Sequence, residues 1–124
     1  MLSWTYLAVG GLAGVFCRYT LAAAIYKKVG SGFPSGTLIV NLTGCLLIGF
    51  FNSLAEEKLW LGPGGRLLLM TGFCGAYTTF STLILETSNL MNDGDFGWAL
   101  LNLTLSVVIG FILFRLGAWA GKVL

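Results

Sequence analysis

Residues 71–82, TGFCGAYTTFST, place glycines and hydroxyl side chains inside a long apolar stretch. Hydroxyl groups donate hydrogen bonds, and glycines let the backbone leave helical geometry, so this run could replace the water around an ion. In a bilayer, irregular backbone is tolerated only where it is buried in protein or lines a cavity. Broken helices of this kind direct backbone dipoles and carbonyl groups at ions. We therefore predict an ion site here rather than a lipid-facing helix.

Two isolated charges lie within apolar stretches. Arg18 is the only charged residue from Leu2 to Tyr26, and Glu86 is the only one from Leu67 to Asn92. An ionisable group inside a membrane helix is costly and usually marks function or a pair. We predict that Arg18 faces a water-filled vestibule, and that Glu86 either faces water as well or pairs with a cation. Neither has a second titratable partner nearby in sequence, so acid–base catalysis is not indicated and the protein is not predicted to be an enzyme.

Three predicted helices each carry a stripe of polar or small residues at helical spacing. Interhelical hydrogen bonds explain any single stripe without a pore. Three stripes together with a broken helix favour a conduction path. The stripes are Thr37, Asn41, Cys45 and Gly49; Thr79, Thr82 and Glu86; and Asn102, Ser106 and Gly110.

These residues require helices that cross a membrane. Of the 124 residues, 56% are hydrophobic and 10% are charged, whereas a soluble domain is about 25% charged. Four stretches reach the roughly 20 residues that a transmembrane helix needs. We predict one all-α, multi-pass membrane domain with spans at about 4–26, 36–55, 67–91 and 97–121, the third broken mid-membrane. The net charge of +2 lies mostly in connectors, so nucleic acid is not an expected partner.

The basic residues are nearly balanced across the predicted membrane. With four spans, Lys58, Arg66 and Lys122 lie on one side, and Lys27 and Lys28 lie on the other. The positive-inside rule needs an asymmetry to fix orientation. A nearly balanced chain could insert both ways, and two opposite copies could form an antiparallel dimer.

Three segments are similar to the signature blocks of the small fluoride channels (Fluc, also called CrcB), and the similarity covers the whole chain. The third block, in the third of four spans, is the most specific. The blocks are residues 10–18 (GGLAGVFCR), 36–44 (GTLIVNLTG) and 71–82 (TGFCGAYTTFST).

The resemblance implies a dual-topology antiparallel homodimer in the cell inner (plasma) membrane. Each dimer would have two pores through which fluoride leaves the cytoplasm passively, relieving its toxicity. A structural sodium ion would lie at the dimer centre, held by the backbone carbonyls of Gly75 and Thr78. The family's pore asparagine falls on Asn41 and its first pore phenylalanine on Phe80. The usual second phenylalanine is replaced by Leu83.

The residue types suit an anion. Asn41 offers an amide N–H, and the hydroxyls of Thr79, Ser81, Thr82 and Ser106 are further donors. The edge of a phenyl ring is the positive end of its quadrupole, so an anion can lie against the rim of Phe80.

Two other classes of membrane protein are alternatives to a channel. A small four-helix dimeric multidrug or cation exporter needs a carboxylate in its first span, but that span contains Arg18 and no Asp or Glu. A non-conducting membrane assembly protein needs packing motifs only, which leaves the run of hydroxyl residues after Tyr77 unexplained.

Overall fold

The chain folds as four long helical spans without β-strands. The computed structural model describes residues 1–124. The third span consists of two helices separated by two non-helical residues, which gives five helices in all. They are α1 (Leu2–Val29), α2 (Ser35–Glu56), α3 (residues 63–77), α4 (Phe80–Asn92) and α5 (Phe96–Val123).

All four spans are long and apolar enough to cross a bilayer. They contain 28, 22, 30 and 28 residues, and a helix of roughly 20 residues spans the hydrocarbon core. Only 22 of the 124 residues are buried within the protomer, so most apolar side chains face lipid or another chain. The prediction of an all-helical, multi-pass membrane protein with four spans is confirmed.

The glycines of α1 bring it into backbone contact with the third span. A Cβ added at Gly10 would collide with the carbonyl oxygen of Leu68 and lie 2.9 Å from the amide nitrogen of Phe73. One added at Gly14 would collide with the carbonyl oxygen of Phe73. Small residues at this spacing permit such close approach in membranes. The two glycines therefore allow α1 and the third span to pack closely.

Helices α2 and α5 pack closely for the same reason. A Cβ at Gly49 would collide with the carbonyl oxygen of Phe114, and one at Gly117 would collide with that of Leu46. The buried hydroxyl of Ser53 donates a hydrogen bond of 2.7 Å to the carbonyl oxygen of Ala118. This contact fixes the C-terminal part of α5 against α2.

Two ion pairs join the elements at one end of the bundle. Arg66 pairs with Glu56, and the Lys122 Nζ lies 3.1 Å from the Glu57 carboxylate. Arg66 also donates to the carbonyl oxygen of Ala55. These exposed pairs contribute little free energy individually, but they hold the second connector and the end of α5 together.

Two segments of the helices have π-helical hydrogen bonding, Arg66–Cys74 and Leu105–Ile109. Such turns contain an i→i+5 bond and often occur at functional sites. The first ends one residue before Gly75, and the second contains Ser106. The sequence pattern did not predict either segment.

Candidate functional site

The site is built around a short extended segment between α3 and α4. Thr78 (φ −92°, ψ 158°) and Thr79 (φ −151°, ψ 114°) both have extended backbone. Thr79 then begins α4, because its hydroxyl oxygen accepts a hydrogen bond of 3.2 Å from the amide of Thr82. Threonine is a favourable residue at this position of a helix. The hydroxyl-rich run therefore ends one helix and starts the next.

Asn41 on α2 pairs with the backbone of Thr79. Its Oδ1 accepts from the Thr79 N–H at 2.8 Å, and its Nδ2 donates to the Thr79 carbonyl oxygen at 3.1 Å. Only this orientation of the amide satisfies both bonds, since an N–H donates and a carbonyl oxygen accepts. These two bonds use only one N–H of the amide, and the second N–H has no hydrogen-bond partner in the protein. Asn41 thus holds the extended segment and still has a donor to offer.

This arrangement removes the usual hydrogen-bond donors of two carbonyl groups. In a continuous helix the amide of Thr79 would bond the Gly75 carbonyl, and the amide of Thr82 would bond the Thr78 carbonyl. Here the Thr79 amide bonds Asn41 and the Thr82 amide bonds the Thr79 hydroxyl. Backbone carbonyl oxygens are suitable ligands for hard cations. The carbonyl groups of Gly75 and Thr78, which lack these helical donors, are therefore the groups here that could ligate a hard cation.

A cavity of about 270 Å³ lies beside the Asn41–Thr79 pair. The Phe80 side chain is 74% exposed in the protomer, whereas Leu83, one turn further, is only 6% exposed. Phe80 and Leu83 thus both line this cavity, one with an aromatic ring and the other with an aliphatic side chain. The cavity is lined by Asn41, Cys45, Ile48, Cys74, Thr79, Phe80, Leu83, Ser106 and other residues.

Ser106 contributes an uncommitted hydroxyl to this cavity. Its Oγ is buried and has no hydrogen-bond partner. Buried hydroxyls without partners are rare in folded proteins. Because Ser106 lies in the π-helical part of α5 and lines the same cavity as Asn41, an occupant of the cavity would satisfy it.

A second cavity, of about 380 Å³, lies between α1, α2 and α4. Arg18 and Tyr26 from α1 line it together with Thr79 and Thr82. Thr79 lines both cavities, and its hydroxyl donates to that of Thr82 at 3.0 Å. Thr79 is therefore shared by the linings of the two cavities.

Glu86 lies near the end of this second cavity. The Thr37 hydroxyl donates to its Oε1 at 2.7 Å, and the Tyr26 hydroxyl accepts from the Thr37 amide at 3.3 Å. Tyr26 and Glu86 line a third cavity, of about 320 Å³, together with Asn89 and Asp93. Glu86 forms no salt bridge with a cationic side chain. The sequence pattern did not single out Tyr26 because an aromatic residue at the end of a span is usually an interfacial anchor.

Most of the predicted site residues line one of the three cavities, and Gly75 and Ser81 line none of them. Ser81 is exposed and lines none of these three cavities, although its Oγ lies 3.4 Å from that of Thr79. Asn102, from the third polar stripe, donates to the Thr87 hydroxyl at 3.0 Å and serves packing. The first cavity contains Asn41, Thr78, Thr79, Phe80 and Ser106; the second contains Arg18, Thr79 and Thr82; the third contains Glu86.

Comparison with known proteins gives consistent matches over most of the chain. The family model described as "CrcB-like protein, Camphor Resistance (CrcB)" matches residues 5–118. A protein of Hydrogenobaculum sp. is 45% identical over 121 residues, covering 96% of this chain and 98% of its own. One of Sulfurihydrogenibium sp. is 43% identical over 124 residues, covering 100% and 97%. One of Maridesulfovibrio salexigens is 42% identical over 111 residues, covering 90% and 88%. All three are named "Fluoride-specific ion channel FluC".

Proposed function

The chain belongs to the CrcB family, and we propose that it is a fluoride-selective channel whose path passes the Asn41–Thr79 pair. Fluoride would leave the cytoplasm passively, which relieves its toxicity. The protein acts as a channel rather than an enzyme, in keeping with its relatives' names. The single observation that carries the proposal is that Asn41, whose amide keeps one N–H beyond its bonds to Thr79, lines a cavity together with Phe80 and Ser106.

The donors around this cavity suit a small, strongly hydrated anion. A selective path must replace the water around fluoride with protein donors. The free N–H of Asn41 and the hydroxyl of Ser106 are available, and hydrogen bonds to charged groups are the stronger ones. The edge of Phe80 adds a weakly positive rim. Leu83 offers no ring edge, so Phe80 would do alone what a pair of rings does in the usual family pattern.

The order of the cavities suggests a route. Arg18 would attract anions into the second cavity, which acts as the vestibule. Thr79 and Thr82 would pass the ion towards Asn41 in the first cavity. Glu86 would stand at the outer end, where its carboxylate, hydrogen-bonded to Thr37, shapes the polar mouth. Ser81 would contribute its hydroxyl only where another chain covers the protomer surface.

The extended segment suits a break in the middle of the membrane. Thr78 and Thr79 lie halfway along the third span of 30 residues. Non-helical backbone at such depth requires protein or a cavity around it, and Asn41 supplies part of that environment. We therefore place the break at the level of the ion site.

A second copy in the opposite orientation would complete the site. Phe80 is 74% exposed and Gly75 is exposed as well, although both adjoin the candidate ion sites. The near balance of basic residues, with Lys27 and Lys28 facing three others across the membrane, permits insertion both ways. An antiparallel homodimer would enclose these exposed positions and create two equivalent paths.

The residues near the proposed dimer centre fit a structural sodium ion. The Gly75 and Thr78 carbonyls have lost their helical donors, and a Cβ added at Gly75 would meet only the Met70 carbonyl oxygen, at 3.9 Å. These two carbonyls of each protomer would hold the ion. Its positive charge would make the dimer interior more favourable for an anion.

Resistance to fluoride in cells tests the biological part of the proposal. A fluoride-sensitive bacterium without its own fluoride exporter is transformed with the parent gene or the Asn41→Leu variant. The parent should restore growth in millimolar fluoride and lower the fluoride content of the cells, and Asn41→Leu should do neither. Equal sensitivity with and without the well-expressed parent would contradict the proposal.

A further inference from the structure

The hydroxyl of Tyr77 connects the third span to α2 immediately before the extended segment. Its oxygen lies 2.7 Å from the Oγ1 of Thr43. Tyr77 is the last helical residue before Thr78, and its side chain is only 5% exposed. Thr43 lies two residues after Asn41 on the same helix. The bond therefore lies next to the backbone that Asn41 holds.

The direction of this hydrogen bond follows from counting protons. The Thr43 hydroxyl has one proton, which it donates to the carbonyl oxygen of Ile39 at 2.8 Å or of Val40 at 3.0 Å. Its remaining capacity is to accept. Tyr77 is therefore the donor, and its only hydroxyl proton is committed to Thr43.

The ring of Tyr77 is fixed on several sides. It stacks on Phe73, with ring centroids 5.4 Å apart and an angle of 14° between the planes. A Cβ added at Gly44 would lie 3.3 Å from the Tyr77 ring. A Cβ added at Gly14 would lie 3.0 Å from the Tyr77 amide nitrogen. The hydroxyl bond thus links α2 to the backbone of the third span through a ring that stacks on Phe73 and contacts Gly44.

We propose that Tyr77 and Thr43 form a positioning pair that fixes where the third span leaves helical geometry. The pair keeps Thr79 in register with Asn41, and so keeps the free N–H of Asn41 directed into the cavity. This inference rests on the proposed channel function for its transport consequence, because preorganised donors bind an ion more strongly than mobile ones. The inference assigns Tyr77 and Thr43 a positioning role rather than a role in binding the ion.

Single and double substitutions test the pair. Tyr77→Phe removes only the hydroxyl donor, and Thr43→Val removes only the acceptor. Each should lower fluoride flux about threefold to tenfold, the range of one net hydrogen bond, and raise the half-saturating fluoride concentration. The double variant should be no worse than either single, because residues that act as a pair are non-additive. Thr43→Ser keeps the acceptor and should behave like the parent.

Ser53→Ala is the matched control. It also removes one buried interhelical hydrogen bond, of 2.7 Å to the Ala118 carbonyl oxygen, but far from the cavities. It should lower the melting temperature without changing the half-saturating fluoride concentration. Parental half-saturation in Tyr77→Phe and Thr43→Val, or effects that multiply in the double variant, would overturn the pairing.

Amide hydrogen exchange of the purified protein decides the same point without any transport assay. Exchange at Thr79 should become faster in Tyr77→Phe than in the parent, while exchange in α5 stays unchanged, since local opening follows local contacts. Unchanged protection at Thr79 would overturn the inference. If the parent passes no fluoride, the proposed function fails, and this exchange result still stands for or against the positioning pair.

Discussion

Replacing Asn41 with leucine should abolish most fluoride flux for two separable reasons. The substitution removes the second N–H of a residue that lines the cavity, and it leaves the Thr79 N–H and carbonyl without their bonds of 2.8 and 3.1 Å. Loss of one hydrogen bond to a charged group costs about 1.5–3 kcal/mol. Because each 1.4 kcal/mol changes a rate about tenfold, flux should fall by roughly 10- to 150-fold.

The assay is fluoride efflux from proteoliposomes into an ion-selective electrode, normalised to assembled protein. Asn102→Leu is the matched control, because Asn102 is also an interhelical amide and is 1% exposed, but it bonds Thr87 and lines none of the three described cavities. That control should lose stability while keeping its flux within about twofold, since a buried hydrogen bond contributes roughly 1 kcal/mol to folding. Parental flux in Asn41→Leu, or an equal loss in both variants, would refute the reasoning.

Three further sets of substitutions test the neighbouring parts of the site. Gly75→Val should abolish sodium-dependent thermal stabilisation because a branched side chain restricts the backbone, while Thr78→Ser should be mild because the proposed ligand is a carbonyl; equal effects would argue against backbone ligation. Phe80→Ile should reduce flux about tenfold by removing the ring edge, and unchanged flux would show that Phe80 only packs. Leu83→Phe should lower the half-saturating fluoride concentration. Two or three lysines added to one connector should bias orientation and abolish activity until an oppositely biased variant is co-expressed, whereas full activity of one biased variant alone would exclude the antiparallel dimer.

The elements of the fold were predictable because each rests on local sequence. Four spans follow from the scarcity of charges in the sequence. Arg18 and Glu86, for example, are each the only charged residue in a long apolar stretch. The helix-packing role of Gly10 and Gly14 follows from their spacing, and their contacts with the third span confirm it. The position of a span and the spacing of its glycines can each be identified from the sequence of that one helix.

The pairing of side chains between helices was not predictable in the same way. The stripe containing Thr79, Thr82 and Glu86 suggested one polar face, yet Glu86 bonds Thr37 on another helix. The sequence also did not predict the bond from Tyr77 to Thr43, because helix rotation and separation decide which side chains meet. Helix rotation and separation depend on the partners of the glycine contacts, which spacing alone does not identify, and on the π-helical turns, which the sequence pattern did not predict.

Asn41 shows the same limit within a single residue. Its type and position predicted a donor for an anion, but one of its two N–H donors and its carbonyl oxygen bond the backbone of Thr79. The sequence could not reveal this because the extended backbone at Thr79 must exist before the amide can pair with it. The structure therefore adds a supporting role to the proposed role in ion binding.

The central claim, a selective fluoride path, is tested most directly by passive efflux from vesicles containing only the purified parent protein. Vesicles loaded with fluoride and chloride are placed in a medium free of both ions, with an ionophore to dissipate the membrane potential. Fluoride should leave within seconds to minutes while chloride stays inside, and no proton gradient should be needed. Retention of fluoride, equal loss of both anions, or exchange of cations for protons would contradict the account.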